Sequence, residues 1–299
     1  MIALVMSVSL PMTTYAANWY LEDGSVTVNA DNSGQTVTQG SGSAVPDEAP
    51  VITQRNSSAE TSNTITINAS ENATANVTIS NVNIDTSGAA VSTGGKGNVN
   101  IELDGTNTLK SGRYHAGLEK SQDGKLTITD ENANGKLIAT GGDYGAGIGG
   151  DDQGNGKNIT ITGGEVTAAG GTNGAGIGGG LRKEGEKITV SGDATLKVQG
   201  GLTDEWDGAG AGIGNGGRHN GDTGSFIPVN GAETEPDTSN LTTGKIEYYA
   251  PGADMTKDEP TSTTFGSLVQ PEPSSPGETG APVEYRMQTS ASEPVQGNG

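Results

Sequence analysis

Residues 142–192 read GDYGAGIGGDDQGNGKNITITGGEVTAAGGTNGAGIGGGLRKEGEKITVSG. Inside this stretch Ala146-Gly147-Ile148 returns as Ala175-Gly176-Ile177, and Ile159-Thr160-Ile161-Thr162 returns as Ile188-Thr189-Val190-Ser191. Working outward, the small-small-apolar triplet also occurs at Ala89-Ala90-Val91, Ala116-Gly117-Leu118 and Ala211-Gly212-Ile213, so its apolar member recurs at intervals of 27, 30, 29 and 36 residues. A first alternating run follows each of the earlier triplets, at residues 99–103 (VNIEL), 126–129, 159–162 and 188–191. After a turn comes a second run, at residues 108–109, 136–140, 165–169 and 195–198.

A unit of about 30 residues with short strands, each apolar on one face only, cannot bury that face alone. Stacked on its neighbours it can, because parallel strands spaced about 4.8 Å apart place equal positions of successive units in one ladder. The period-2 alternation then predicts Leu126, Ile128, Ile159, Ile161, Ile188 and Val190 inside, with Thr127, Thr129, Thr160, Thr162, Thr189 and Ser191 outside. Val91, Leu118, Ile148, Ile177 and Ile213 form a second inner column. The 29 glycines between Gly141 and Gly224 are expected mainly at corners, where positive φ and close coil approach are needed. Collagen would need Gly at every third position, and a flexible linker would not space its isoleucines regularly. Propeller blades need four strands in roughly 40–45 residues, more than these units hold. The expectation is an all-β parallel β-helix, or solenoid.

The repeat text resembles the glycine-rich GAGIGGG repeats of surface and secreted proteins of Gram-positive gut bacteria, described as carbohydrate-binding domain proteins. The likeness covers a little under half of the chain. It implies a right-handed single-stranded β-helix, a secreted or cell-surface location on a bacterium, and a polysaccharide or cell-surface glycan as partner. The repeated residues are those that build coils, so the motif points to architecture more than to function.

Composition fits a thin core. The chain has 299 residues, 50 of them Gly, none Cys, with 30% hydrophobic and 4% aromatic residues. Disulfides and thiolate sites are absent by composition. The formal charge of −20 leaves no basic footprint for nucleic acid, and no stretch approaches the roughly 20 apolar residues of a membrane span. A monomer is expected.

Four zones follow. Residues 1–17 carry a short apolar run and a small-residue end like a secretory signal peptide, although no Lys or Arg precedes Arg55. Residues 18–80 read as an N-terminal cap and first coils, and residues 81–225 as the Gly-rich coils. Residues 226–299 hold nine of the twelve prolines and 11 acidic against 3 basic residues, so they read as a mostly disordered linker or stalk in which residues 245–250 (KIEYYA) could form a strand.

Tyr114 and Tyr144 each stand four residues before the column residue of their triplet, and Asn173 takes that place in the next unit. Trp206 stands seven before Ile213. Aromatic faces suit the C–H faces of sugars, with Arg113, Asn173 and Asp207 available for hydroxyl groups. Asp143, Asp151 and Asp152 on the Gly-rich loops are hard oxygen donors that would suit Ca²⁺, and an acidic polymer would call for such a bridge, given the net charge. His115 and His219 are too scattered for a zinc site. A noncatalytic glycan-binding module is the leading functional expectation. A structural or adhesin spacer is the alternative, and a β-helix polysaccharide lyase or glycosidase is the third, since no carboxylate pair or base is singled out.

Overall fold

A computed structural model describes residues 16–220 and 227–268. They form a parallel β-solenoid of about six turns. Among these residues the only helical element is the 3₁₀ turn Leu21–Asp23. From Thr74–Ser80 to Ile213–Gly214, each of five coils contributes one strand to each of three sheets, in the order first run, second run, triplet, whereas the coils before Thr74 have no strand in the second-run sheet. The coil of the first tyrosine, for example, consists of Asn98–Asp104, Thr106–Lys110 and Leu118–Lys120.

The ladders are those that the repeat spacing predicts. Val99, Leu126, Ile159 and Ile188 are register partners in succession, as are Ile101, Ile128, Ile161 and Val190. Val91, Leu118, Ile148, Ile177 and Ile213 make the triplet column, every member fully buried. Each coil therefore adds several wholly enclosed aliphatic side chains, worth about 1.5–3 kcal/mol apiece, and a 30% apolar chain suffices. The triplet strands are only two residues long from Ile148–Gly149 onward, because glycine corners crowd them on both sides. At Gly171 an added Cβ would lie 1.8 Å from the carbonyl oxygen of Gly142 on the neighbouring coil, so no side chain fits there.

Both ends of the stack are closed. Near the N-terminus, Val26–Asp31 pairs antiparallel with Gly34–Gln39, turning the edge of the triplet sheet into a hairpin. Trp19 packs on the core there and donates its indole N–H to Asp47 Oδ2 at 2.8 Å. Residues 1–15, and with them almost all of the signal-like segment, lie outside the described residues.

The C-terminal end departs from what composition suggests. Ordered structure extends past residue 226 to 268: Lys245–Tyr249 continues the second-run sheet in parallel register with Thr195–Gln199, and Ser262–Phe265 pairs back on it antiparallel. Ile246 stacks on Leu196, and Tyr248 stacks on Val198 and closes the core. Few apolar residues are needed because the preceding coil supplies the other half of each contact. Prolines sit where no ladder donor is required, as Pro228 does in the two-stranded edge formed with Arg218–Asn220. Residues 269–299, the remainder of the expected tail, lie outside the described residues.

Candidate functional site

The corner between the second-run and triplet strands has the same backbone in three successive coils. Tyr114, Tyr144 and Asn173 all adopt left-handed φ, at 76°, 75° and 63°. Their N–H groups donate across the coils to Asp143 O, Thr172 O and Leu202 O at 2.8–2.9 Å. Their carbonyls accept from Asp152 N, Leu181 N and Gly217 N, which ties the loop after each triplet strand to the corner of the coil before it. Asparagine is one of the few non-glycine residues that tolerate this backbone, whereas a bulky side chain there is an outlier costing about 1–2 kcal/mol. The first two coils nevertheless carry tyrosine.

The two rings meet as the repeat alignment predicts. Their centroids are 5.7 Å apart with an interplanar angle of 27°. Tyr114 is 45% exposed, and Tyr144 is half-buried. The exposed Arg113 guanidinium lies over both rings, 4.6 Å from the Tyr114 centroid and 5.3 Å from that of Tyr144. Its hydrogen bond to the Tyr144 side chain, with the nearby tyrosines and Asp143, raises its pKa. A cation on an exposed aromatic face is held by about 0.5–1 kcal/mol, so an incoming group can displace or recruit it.

The other expected ligand groups are distributed differently. Asn173 is fully buried, and its Nδ2 donates to Asp207 O at 2.9 Å and Gly208 O at 2.8 Å, fastening residues 201–208 over the third corner. Asp207 is 2% exposed. Its Oδ1 accepts from Arg182 Nε at 2.8 Å and stands 3.0 Å from His219 Nδ1, while Oδ2 accepts from Arg182 Nη2 at 2.6 Å. Burial alone would push this carboxyl up, but the bonds from Arg182 and His219 hold it below the ordinary range. Asn173 and Asp207 are thus enclosed beneath the loop, where Asn173 fastens its backbone and Asp207 pairs with Arg182 and His219. The repeat alignment gave the register of Asn173 but not the loop, carrying Asp207, that covers it. Trp206, carried on that loop, is 53% exposed.

Among the three aspartates expected to bind calcium, Asp143 Oδ1 accepts from Thr172 Oγ1 at 2.8 Å, Asp151 Oδ1 accepts from Gln153 N at 3.0 Å, and Asp152 Oδ2 accepts from Gln153 Nε2 at 3.0 Å. Among the described residues no three His, Cys, Asp or Glu side chains converge to hold a metal ion.

Sequence reasoning missed Arg182, His219 and Glu119 as partners. His115 Nδ1 stands 2.8 Å from Glu119 Oε2, and burial raises the Glu119 carboxyl above its ordinary range against the pull of His115. The spacing of four between His115 and Glu119 was the only available signal.

Two hollows lie away from Tyr114 and Tyr144. One, of about 700 Å³, opens at the C-terminal end between Glu233, Glu235 and Tyr248. The other, of about 670 Å³, runs over the second-run sheet, where Lys136 pairs with Glu165 at 3.3 Å, Lys245 with Glu247 at 2.5 Å, and Lys197 Nζ donates to Met255 O. The lysines of the second hollow are paired or hydrogen-bonded within the fold, whereas no carboxylate lies within ion-pair distance of Arg113 among the described residues.

No protein-family model matches the chain, and no curated protein or solved structure is detectably similar to it.

Proposed function

We propose that this solenoid is an extracellular, noncatalytic carbohydrate-binding module whose contact surface is the rim formed by Arg113, Tyr114 and Tyr144. The observation that carries the reading is the pair of left-handed tyrosines. The fold needs only asparagine or glycine at that corner, as Asn173 shows one coil further on. Keeping two strained, partly exposed aromatic side chains in stacked contact is the pattern expected when backbone strain is tolerated for a binding role.

Flat aromatic surface on an open rim suits a polymer that approaches from the side. It buries the apolar faces of sugar rings while hydroxyl groups reach Arg113 and the polar loop atoms. The resemblance of the GAGIGG repeats to bacterial surface proteins that carry carbohydrate-binding domains supports the same class of ligand. The proposed contact is written without calcium, since no three carboxylate or imidazole side chains converge among the described residues and Asp143, Asp151 and Asp152 each accept a hydrogen bond from a neighbouring residue.

A glycan array probed with the wild-type chain and with a Tyr114→Ala/Tyr144→Ala variant tests this, with and without EDTA. Binding that survives EDTA and disappears in the variant is the expected result. Binding to no glycan would leave the solenoid as a spacer, and release of cleaved product would make it an enzyme. Binding lost with EDTA would return calcium to the site.

A further inference from the structure

We infer that the ligand of this rim is an acidic polysaccharide, with a uronate carboxylate taken by Arg113; the inference rests on the glycan-binding reading above. Four arginines lie among the described residues, and three have ordinary fates. Arg55 grips Asp23 through two bonds of 2.9 and 2.6 Å, Arg182 grips Asp207 in the same manner, and Arg218 donates to Asn220 Oδ1 at 3.3 Å. Arg113 differs. Like Arg218 it has no carboxylate within ion-pair distance among the described residues, but its guanidinium rests on two tyrosine rings, where Tyr144 is its hydrogen-bonding neighbour.

A guanidinium carries five N–H donors in a planar fork that matches a carboxylate, and a single contact with Tyr144 leaves most of that fork unused. Its position decides between ligand classes. A neutral sugar stacking on the rings must push the cation aside and recovers only hydroxyl contacts from it. A uronate approaching the same rings meets the fork at its edge and gains a charge-assisted pair while the ring packs on tyrosine.

The charge of −20 does not oppose this, because at physiological ionic strength charges beyond about 8 Å are largely screened. Twelve of the sixteen basic residues lie between Lys96 and Arg218, so the coils are less acidic than the whole chain. The one carboxylate that acts on Arg113 electrostatically, Asp143, belongs to the adjacent coil, and its Oδ1 accepts from Thr172 Oγ1. Arg113 thereby supplies the positive contact for which an acidic polymer would otherwise need a bridging cation.

The test uses the full chain in EDTA and titrates it with polygalacturonate, alginate and hyaluronate, each beside its methyl-esterified form, and with a neutral β-glucan. The variants are Arg113→Gln, Arg113→Lys and Tyr114→Asn/Tyr144→Asn. The expected result is a preference of at least about tenfold for one or more free-acid forms over the ester, weakening as NaCl is raised. Arg113→Gln abolishes that preference, and Arg113→Lys retains part of it.

Tyrosine-dependent binding that is equal for acid and ester, or confined to the neutral glucan, overturns the acidic class and leaves the glycan site intact. Acid preference unchanged in Arg113→Gln also overturns the assignment. Binding to no glycan at all overturns both readings together.

Discussion

Tyr144 and Asn173 occupy the same corner of neighbouring coils in the same left-handed backbone, φ 75° and 63°, yet one exposes part of its ring and the other is fully buried. The coil geometry is therefore indifferent to the tyrosine ring. Replacing Tyr114 or Tyr144 by Asn relieves about 1 kcal/mol of backbone strain and loses one partly exposed ring contact of similar size. Thermal unfolding should show each variant as stable as wild type to within about 1 kcal/mol. A loss of 3 kcal/mol or more would mean that the rings hold the fold together and would remove the argument from strain.

The last triplet strand is capped by a side chain. In earlier coils the N–H groups of Gly176 and Ile177 donate to carbonyls of the next coil, at Ala211 and Gly212. In the last coil Gly212 N and Ile213 N donate instead to Glu233 Oε1 and Oε2, at 2.7 and 3.0 Å. Glu233→Ala leaves both donors without this partner and should cost about 2 kcal/mol. Amide exchange at Gly212 and Ile213 should accelerate while that at Ile148 does not. Unchanged protection at the two terminal amides would show that the cap is dispensable.

Asp207 holds Arg182 and His219 to the loop over Asn173. Its folded pKa lies below the unfolded value, so its contribution is fully present above about pH 4 and is lost as pH falls through the folded pKa. Asp207→Asn should destabilise the chain by about 2–3 kcal/mol at pH 7, less than for a fully buried pair because Arg182 is half exposed. The gap between wild type and variant should narrow below pH 4. Parallel unfolding curves across pH 2–7 would contradict the role given to this carboxylate.

Lys120 is 5% exposed, and its ammonium donates to Gln122 O at 2.6 Å. Burial pulls its pKa down to about 8. The unfolded chain then holds the proton more tightly, so stability rises with pH between about 8 and 10.5 and the penalty is constant below 8. Lys120→Met lacks this dependence. The stability difference between variant and wild type should change by roughly 2–3 kcal/mol over that window, read by chemical denaturation at each pH. An unchanged difference would place Lys120 in water.

What the sequence made legible follows from what is repeated. Ile148, Ile177 and Ile213 each bury against a copy of themselves, so spacing alone places them in one column. Tyr114 and Tyr144 share that register and were readable as neighbours for the same reason. Asn173 and Asp207 were not readable as interior groups, because their burial depends on residues 201–208, which lie in the one interval of 36 residues and have no counterpart in the other coils. Arg182 and His219 reach Asp207 from 25 and 12 residues away, with no periodicity to announce the pairing. Residues 245–250 were readable as a possible strand, but the order around them was not, because half of the core contacts of Ile246 and Tyr248 are supplied by Leu196 and Val198 of the preceding coil.

The central claim, that Tyr114 and Tyr144 are retained for a carbohydrate, is tested most directly by calorimetric titration of wild type and Tyr114→Asn/Tyr144→Asn with the glycan that wild type binds best. The account predicts that the double variant remains folded, with a melting temperature at or near that of wild type, and loses at least about tenfold in affinity. A folded double variant that binds the same glycan within a factor of two of wild type would contradict it.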